Sequence, residues 1–146
     1  MNTVIIDEHE IVHWGVSEFL RNSLFDVVAH CHSLREYSQL MASGLVVDLV
    51  LTECIVDGIG LSGVVSTIKQ QRDTAKCIVF SEVAGPVTVQ RAKDLGADGY
   101  IFKSVTASEF VDQLRGFLGD GSIWTRERSE TNIGSTGIAT VDASPY

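Results

Sequence analysis

Positive charge is scarce in this chain: 11 lysines and arginines stand against 19 aspartates and glutamates, a formal net charge of −8 at pH 7. Nucleic-acid binding draws most of its affinity from Lys and Arg contacts that release counterions. The chain by itself is therefore not expected to bind DNA. Long apolar runs are also missing, with no stretch near the roughly 18 consecutive apolar residues of a membrane helix. Thr3-Val4-Ile5-Ile6 follows the first residues without a basic n-region. Both readings point to a cytoplasmic protein with no membrane partner. The three cysteines, Cys31, Cys54 and Cys77, form no CxxC pair, which excludes a disulfide framework and leaves free thiols in a core.

The 146 residues, 45% of them hydrophobic, suffice for one domain with one core and leave no room for a second. Short apolar runs alternate with segments of helical period, the pattern of βαβ units in a parallel sheet covered on both faces. Five strands are expected at Thr3 to Ile6, Asp26 to His30, Leu49 to Thr52, Cys77 to Ser81 and Gly99 to Phe102. Helices are expected between them, from Ile11 to Ser23, Leu34 to Ala42, Leu61 to Arg72, Pro86 to Leu95 and Ala107 to Leu118. The fold class is thus α/β, a doubly wound five-stranded parallel sheet of (βα)5 type. Pro86 suits a first helical turn, Gly96 a left-handed C-terminal cap, and Thr106 with Glu109 reads as a capping box. Composition turns to Gly, Ser, Thr and Asp after Gly119, so residues 1–118 are read as the domain and 119–146 as a linker or tail. Ile123 and Trp124 are the exception, apolar enough to pack back onto the last helix.

In an open parallel α/β sheet, ligands collect at the carboxyl ends of the strands. Those ends are unusually polar here: Asp7-Glu8, Glu53, Ser81-Glu82 and Lys103 follow four different strands. Crowded carboxylates repel one another unless a cation stands between them. Mg²⁺ suits such a rim because it is held by one or two carboxylates with waters and a phosphate oxygen, and Lys103 is a counterion built into the chain.

Four separated landmarks carry a resemblance. Ile5-Ile6-Asp7-Glu8-His9 with Val12 and Gly15, Asp48-Leu49-Val50-Leu51-Thr52-Glu53, Ile78-Val79-Phe80-Ser81, and Gly96-Ala97-Asp98-Gly99-Tyr100-Ile101-Phe102-Lys103 resemble the receiver domains of two-component response regulators. The likeness is greatest to the subfamily with LuxR-type helix-turn-helix outputs. It implies a flavodoxin-like receiver fold, signal transduction in transcription regulation, and an output domain in the same chain or a partner. It also implies that Asp7 and Glu8 hold Mg²⁺, with Glu53 and the carbonyl of Ile55 beside them, that Ser81 is the switch hydroxyl, Tyr100 the switch aromatic, and Lys103 the phosphate-contacting amine.

Glu53 departs from the pattern, standing where the family has its phosphoaccepting Asp; the following Ile55-Val56-Asp57-Gly58 lacks the usual Met-Pro and looks one residue short. One extra methylene advances the carboxylate by roughly 1.5 Å, and misplacing a reacting atom by about 1 Å can cost about a hundredfold in rate. The expectation is an atypical, non-enzymatic receiver that works by protein–protein interaction, with the permanent charge of Glu53 partly mimicking a phosphoryl group. The competing reading is a Mg²⁺-dependent phosphoreceiver with Glu53 or Asp57 as acceptor.

Three other features have plainer readings. His9-Glu10-Ile11-Val12-His13 matches the H-E-x-x-H zinc motif, but His9 falls before the helix, so a chance match is expected; His30 and His32 are read as surface residues. Trp14 is half-buried packing or a partner contact. A flavin site fails on charge, because the loop after the first strand is Asp-Glu-His-Glu. Phe110, Leu114 and Phe117 offer a stripe on the last helix for a homodimer, although most of it should face the sheet.

Overall fold

The computed structural model describes residues 1–124. Five βα units follow in order: β1 (Asn2–Ile6), α1 (Glu10–Phe19), β2 (Asp26–Cys31), α2 (Leu34–Ala42), β3 (Leu49–Thr52), α3 (Leu61–Gln71), β4 (Lys76–Ser81), α4 (Pro86–Asp94), β5 (Gly99–Phe102) and α5 (Ala107–Asp120), and then a short β6 (Ile123–Trp124). The sheet is parallel throughout, in the order β2-β1-β3-β4-β5-β6. The chain reverses direction across the sheet between β1 and β3, so the crevice at their carboxyl ends is the switch point where such folds place their sites.

Alternation along the central strands builds two layers of core. Val4, Ile6 and Val50 join Tyr37, Met41, Val64 and Ile68 beneath α2 and α3. Ile5, Leu49 and Leu51 join Val16, Leu20, Phe110, Leu114 and Phe117 beneath α1 and α5. The apolar stripe of α5 is thus spent on the sheet, and Phe110, Leu114 and Phe117 are not available to a dimer partner. The capping box forms as expected, with Glu109 N donating to Thr106 Oγ1 at 3.1 Å and Thr106 N donating to Glu109 Oε1 at 3.0 Å. Gly96 takes φ 98 just past α4.

Three differences from expectation exceed one residue. α1 stops at Phe19 rather than Ser23, because Ser23 Oγ turns back onto the Leu20 carbonyl at 2.6 Å and Asn22 adopts a left-handed φ of 57. α5 continues past Leu118 to Asp120, where Gly121 at φ 77 ends it. The sheet has six strands instead of five, because the turn at Gly121 brings Ile123 and Trp124 beside Gly99 and Tyr100. Trp124 lies under the Lys93 ammonium, 5.1 Å from the ring centre, where a cation is attracted to the ring face. Packing therefore extends beyond the boundary placed at residue 118, to Trp124. The rest of the expected linker or tail, residues 125–146, lies outside the described residues.

Gly99 makes the sixth strand possible, since a Cβ there would meet the Ile123 carbonyl oxygen at 2.7 Å. Gly99→Ala should displace β6 and leave the inner five strands in place, at an overpacking cost of about 1–3 kcal/mol. Hydrogen exchange checks this: protection is lost at Ile123, whose N–H bonds the Asp98 carbonyl at 3.3 Å, and retained in β1, β3 and β4.

Candidate functional site

Asp7 follows β1 at the centre of the sheet and is only 1% exposed. A buried carboxylate needs partners, and both its oxygens have them. Oδ2 accepts from Lys103 Nζ at 2.8 Å, while Oδ1 accepts from His9 N at 2.8 Å and faces His9 Nδ1 at the same distance. Burial alone would raise the Asp7 pKa, but the Lys103 and His9 hydrogen bonds outweigh it and hold the group below its ordinary range. Lys103, just past β5, also bonds Glu53 Oε2 at 2.6 Å. Burial would lower the Lys103 pKa; its bonds to the two carboxylates prevail and raise it. Glu53 Oε1 is capped by Cys54 N at 2.8 Å. Three strand ends are thereby tied through one ammonium group.

The remaining expected site residues are placed differently. Glu8 is turned away from this triad, and its Oε1 accepts from Asp57 N at 2.6 Å. That bond braces a tight turn in which Val56 and Ile59 exchange backbone hydrogen bonds around Asp57 (φ 53) and Gly58 (φ 73). Ser81 Oγ donates to Cys54 Sγ at 3.4 Å and accepts from Val83 N at 3.1 Å. Tyr100 is buried, with its hydroxyl donating to the Val83 carbonyl.

The donors present do not fit Mg²⁺ in this arrangement. Among the described residues no group of three His, Cys, Asp or Glu side chains could hold a metal ion. The oxygens of Asp7 and Glu53 are bonded to Lys103, His9 and Cys54, Glu8 is bonded to the loop, and an octahedral ion needs open oxygens at about 2.0–2.1 Å. The two histidines of the H-E-x-x-H motif do not converge either: His9 faces the Asp7 carboxylate, whereas His13 Nε2 faces the Asp7 carbonyl at 2.7 Å. His13 is a contributor that the motif reading missed. Its spacing with Val16 and Leu20 on the inward face of the helix was the available signal.

Replacing Lys103 leaves Asp7 buried beside a second carboxylate with no cation between them. Lys103→Met should destabilise the fold by about 3–5 kcal/mol, and adding Asp7→Asn should recover part of that loss. Urea unfolding of the two single variants and the double variant measures the coupling.

The comparisons with known proteins agree with this geometry. The response regulator protein VraR of Staphylococcus saprophyticus is 28% identical over 130 residues, which are 87% of this chain and 61% of that protein. VraR of Staphylococcus aureus is 28% identical over 116 residues, covering 79% of this chain and 55% of the relative. The chain thus spans little more than half the length of these relatives. Among solved structures, the isolated REC domain of RcsB from Salmonella enterica serovar Typhimurium, determined with a phosphomimetic, superposes with a TM-score of 0.76 at 18% identity, covering 86% of this chain and 94% of that one. A LuxR-family response regulator from Aurantimonas gives 0.75 at 23% identity, over 94% of this chain and 97% of that one. At such identities the structural likeness speaks for the fold. The family model of the response regulator receiver domain matches residues 3–115, and with the acidic crevice and Lys103 in place at the strand ends, the chain belongs to the receiver domains of two-component response regulators.

Proposed function

We propose that this receiver signals by protein–protein interaction, without phosphorylation of Glu53 and without a reaction of its own. The observation that carries the reading is the 2.6 Å bond from Lys103 to Glu53. A permanent carboxylate already engages the amine that would otherwise contact a phosphoryl group. It supplies one negative charge and two acceptor oxygens, against roughly −1.5 to −2 charges and three oxygens for a phosphoryl group, so the mimicry is partial. The inward Tyr100 belongs to the same picture, with its hydroxyl on the β4–α4 loop. The Lys103 amine in the crevice is already held by two carboxylates, and burial pushes the Cys54 thiol up.

The partner is an output domain, in the same chain or another one, and the setting is the cytoplasm. The RcsB structures solved with DNA and the part-length match to VraR support a DNA-binding output, and with it transcription regulation. The negative charge of the chain favours leaving DNA contact to that domain. A homodimer remains part of the proposal through a surface other than the buried stripe of α5.

Intact-mass spectrometry after incubation with Mg²⁺ and acetyl phosphate tests the reading, with Glu53→Asp alongside the native chain. The native chain should stay unmodified; gain of one phosphoryl group by the Asp variant would trace that inertness to the extra methylene of Glu53, and no gain would trace it to the closed donor set. A phosphoryl group on the native chain, at Glu53 or Asp57, would replace this reading with the Mg²⁺-dependent phosphoreceiver.

A further inference from the structure

Three of the four histidines of the chain meet where α1, β2 and the start of α2 come together. The His13 ring centre lies 4.9 Å from that of His30 and 4.4 Å from that of His32. Hydrogen-bond bookkeeping assigns the protons. His13 Nε2 faces a carbonyl, which only accepts, so this nitrogen carries a hydrogen. His13 Nδ1 faces His30 Nδ1 at 2.8 Å, a gap with room for a single proton shared between the two rings. His32 is in the opposite situation. Its Nε2 lies 2.7 Å from Glu10 Oε2 and its Nδ1 lies 3.3 Å from Glu36 Oε1. Carboxylates only accept, so a neutral ring would turn a lone pair toward one of them, and only the doubly protonated ring satisfies both.

We propose that His32 is a proton-operated clasp that ties the first turn of α1 to the first turn of α2 through Glu10 and Glu36, closed while the ring carries both protons and open once it loses one. Both carboxylates sit in the first turns of their helices, where the helix dipole favours their ionised form. Loss of the His32 charge therefore leaves two carboxylates flanking a neutral ring, and attraction between the helix starts becomes repulsion. Glu10 lies beside Trp14 on the same face of α1. It forms one wall of an open groove with Ile11 and Trp14, which are 79% and 72% exposed. The clasp thus sets the shape of the exposed α1 face.

The titratable groups around His32 act in a consistent direction. The Glu10 hydrogen bond, against a smaller burial effect, and the Glu36 hydrogen bond raise the His32 pKa above the ordinary 6.5. His32 in turn holds the Glu10 and Glu36 pKa values below the ordinary 4.5. Burial, with His13 beside it, pushes the His30 pKa down, so this neighbour adds no competing positive charge near neutrality. Cys31, pushed up to about 11 by burial and by Glu36, remains a thiol. The contribution of His32 to stability is complete below 6.5 and disappears as pH rises through its raised value in the fold. The clasp is therefore closed below that value and open above it.

Histidine-ring NMR titration of the full chain, with amide hydrogen exchange on either side of the His32 midpoint, tests the clasp. The expected results are a midpoint above 6.5, a downward shift in both Glu10→Gln and Glu36→Gln, and lower protection of the first-turn amides of α1 above the midpoint. His32→Gln should abolish that step in protection while leaving α5 unaffected. A midpoint at or below 6.5, a midpoint indifferent to both glutamine variants, or a protection step that persists in His32→Gln would each overturn the proposal.

Discussion

The crevice depends on one ammonium group held between two carboxylates. A parallel sheet points every strand's carboxyl end to the same rim, so Asp7 after β1 and Glu53 after β3 are forced into proximity by topology alone. Lys103 enters from β5, bonding one oxygen of each at 2.8 and 2.6 Å, and leaves a net charge of −1 across the three groups. Backbone N–H groups of His9 and Cys54 take up the other oxygens. In such a dry setting each charge is tolerable only because the others are there. The longer side chain at position 53 lets its carboxylate reach Lys103 while still accepting from the residue next to it.

A second organising point is Val83, in the loop between β4 and α4. Its N–H donates to Ser81 Oγ and its carbonyl accepts from Tyr100. The hydroxyl and the aromatic that the family resemblance singles out are thus fastened to the two ends of one residue. Ser81 is also held to Cys54, the neighbour of Glu53. Any movement of the Glu53 backbone has a short mechanical route through Cys54 and Ser81 to the loop that begins α4.

The strands were legible because those buried on both faces read as unbroken apolar runs, as Leu49–Thr52 and Gly99–Phe102 do. β6 was not, since two residues carry no periodicity; the signal for it was Gly99, a strand position without a side chain. At the site, the identities of Asp7, Glu53 and Lys103 could be read, but not the partners of Glu8 and Ser81, which are set by a turn at Asp57 and by a cysteine across the crevice. The histidine cluster was the least visible feature. His13 comes from a helix, His30 from the end of a strand and His32 from the loop after it, and the pairing of Ile5 with His30 in β1 and β2 is what brings them together.

The two-residue β6 also changes how the sheet meets its surroundings. An open strand edge is a template for adding another chain, and proteins blunt such edges with short or irregular strands. Here the backbone of β5 is covered, among the described residues, by the two-residue strand Ile123–Trp124. Among those residues, the β5 side of the sheet thus ends in the kind of short edge that disfavours pairing with another chain.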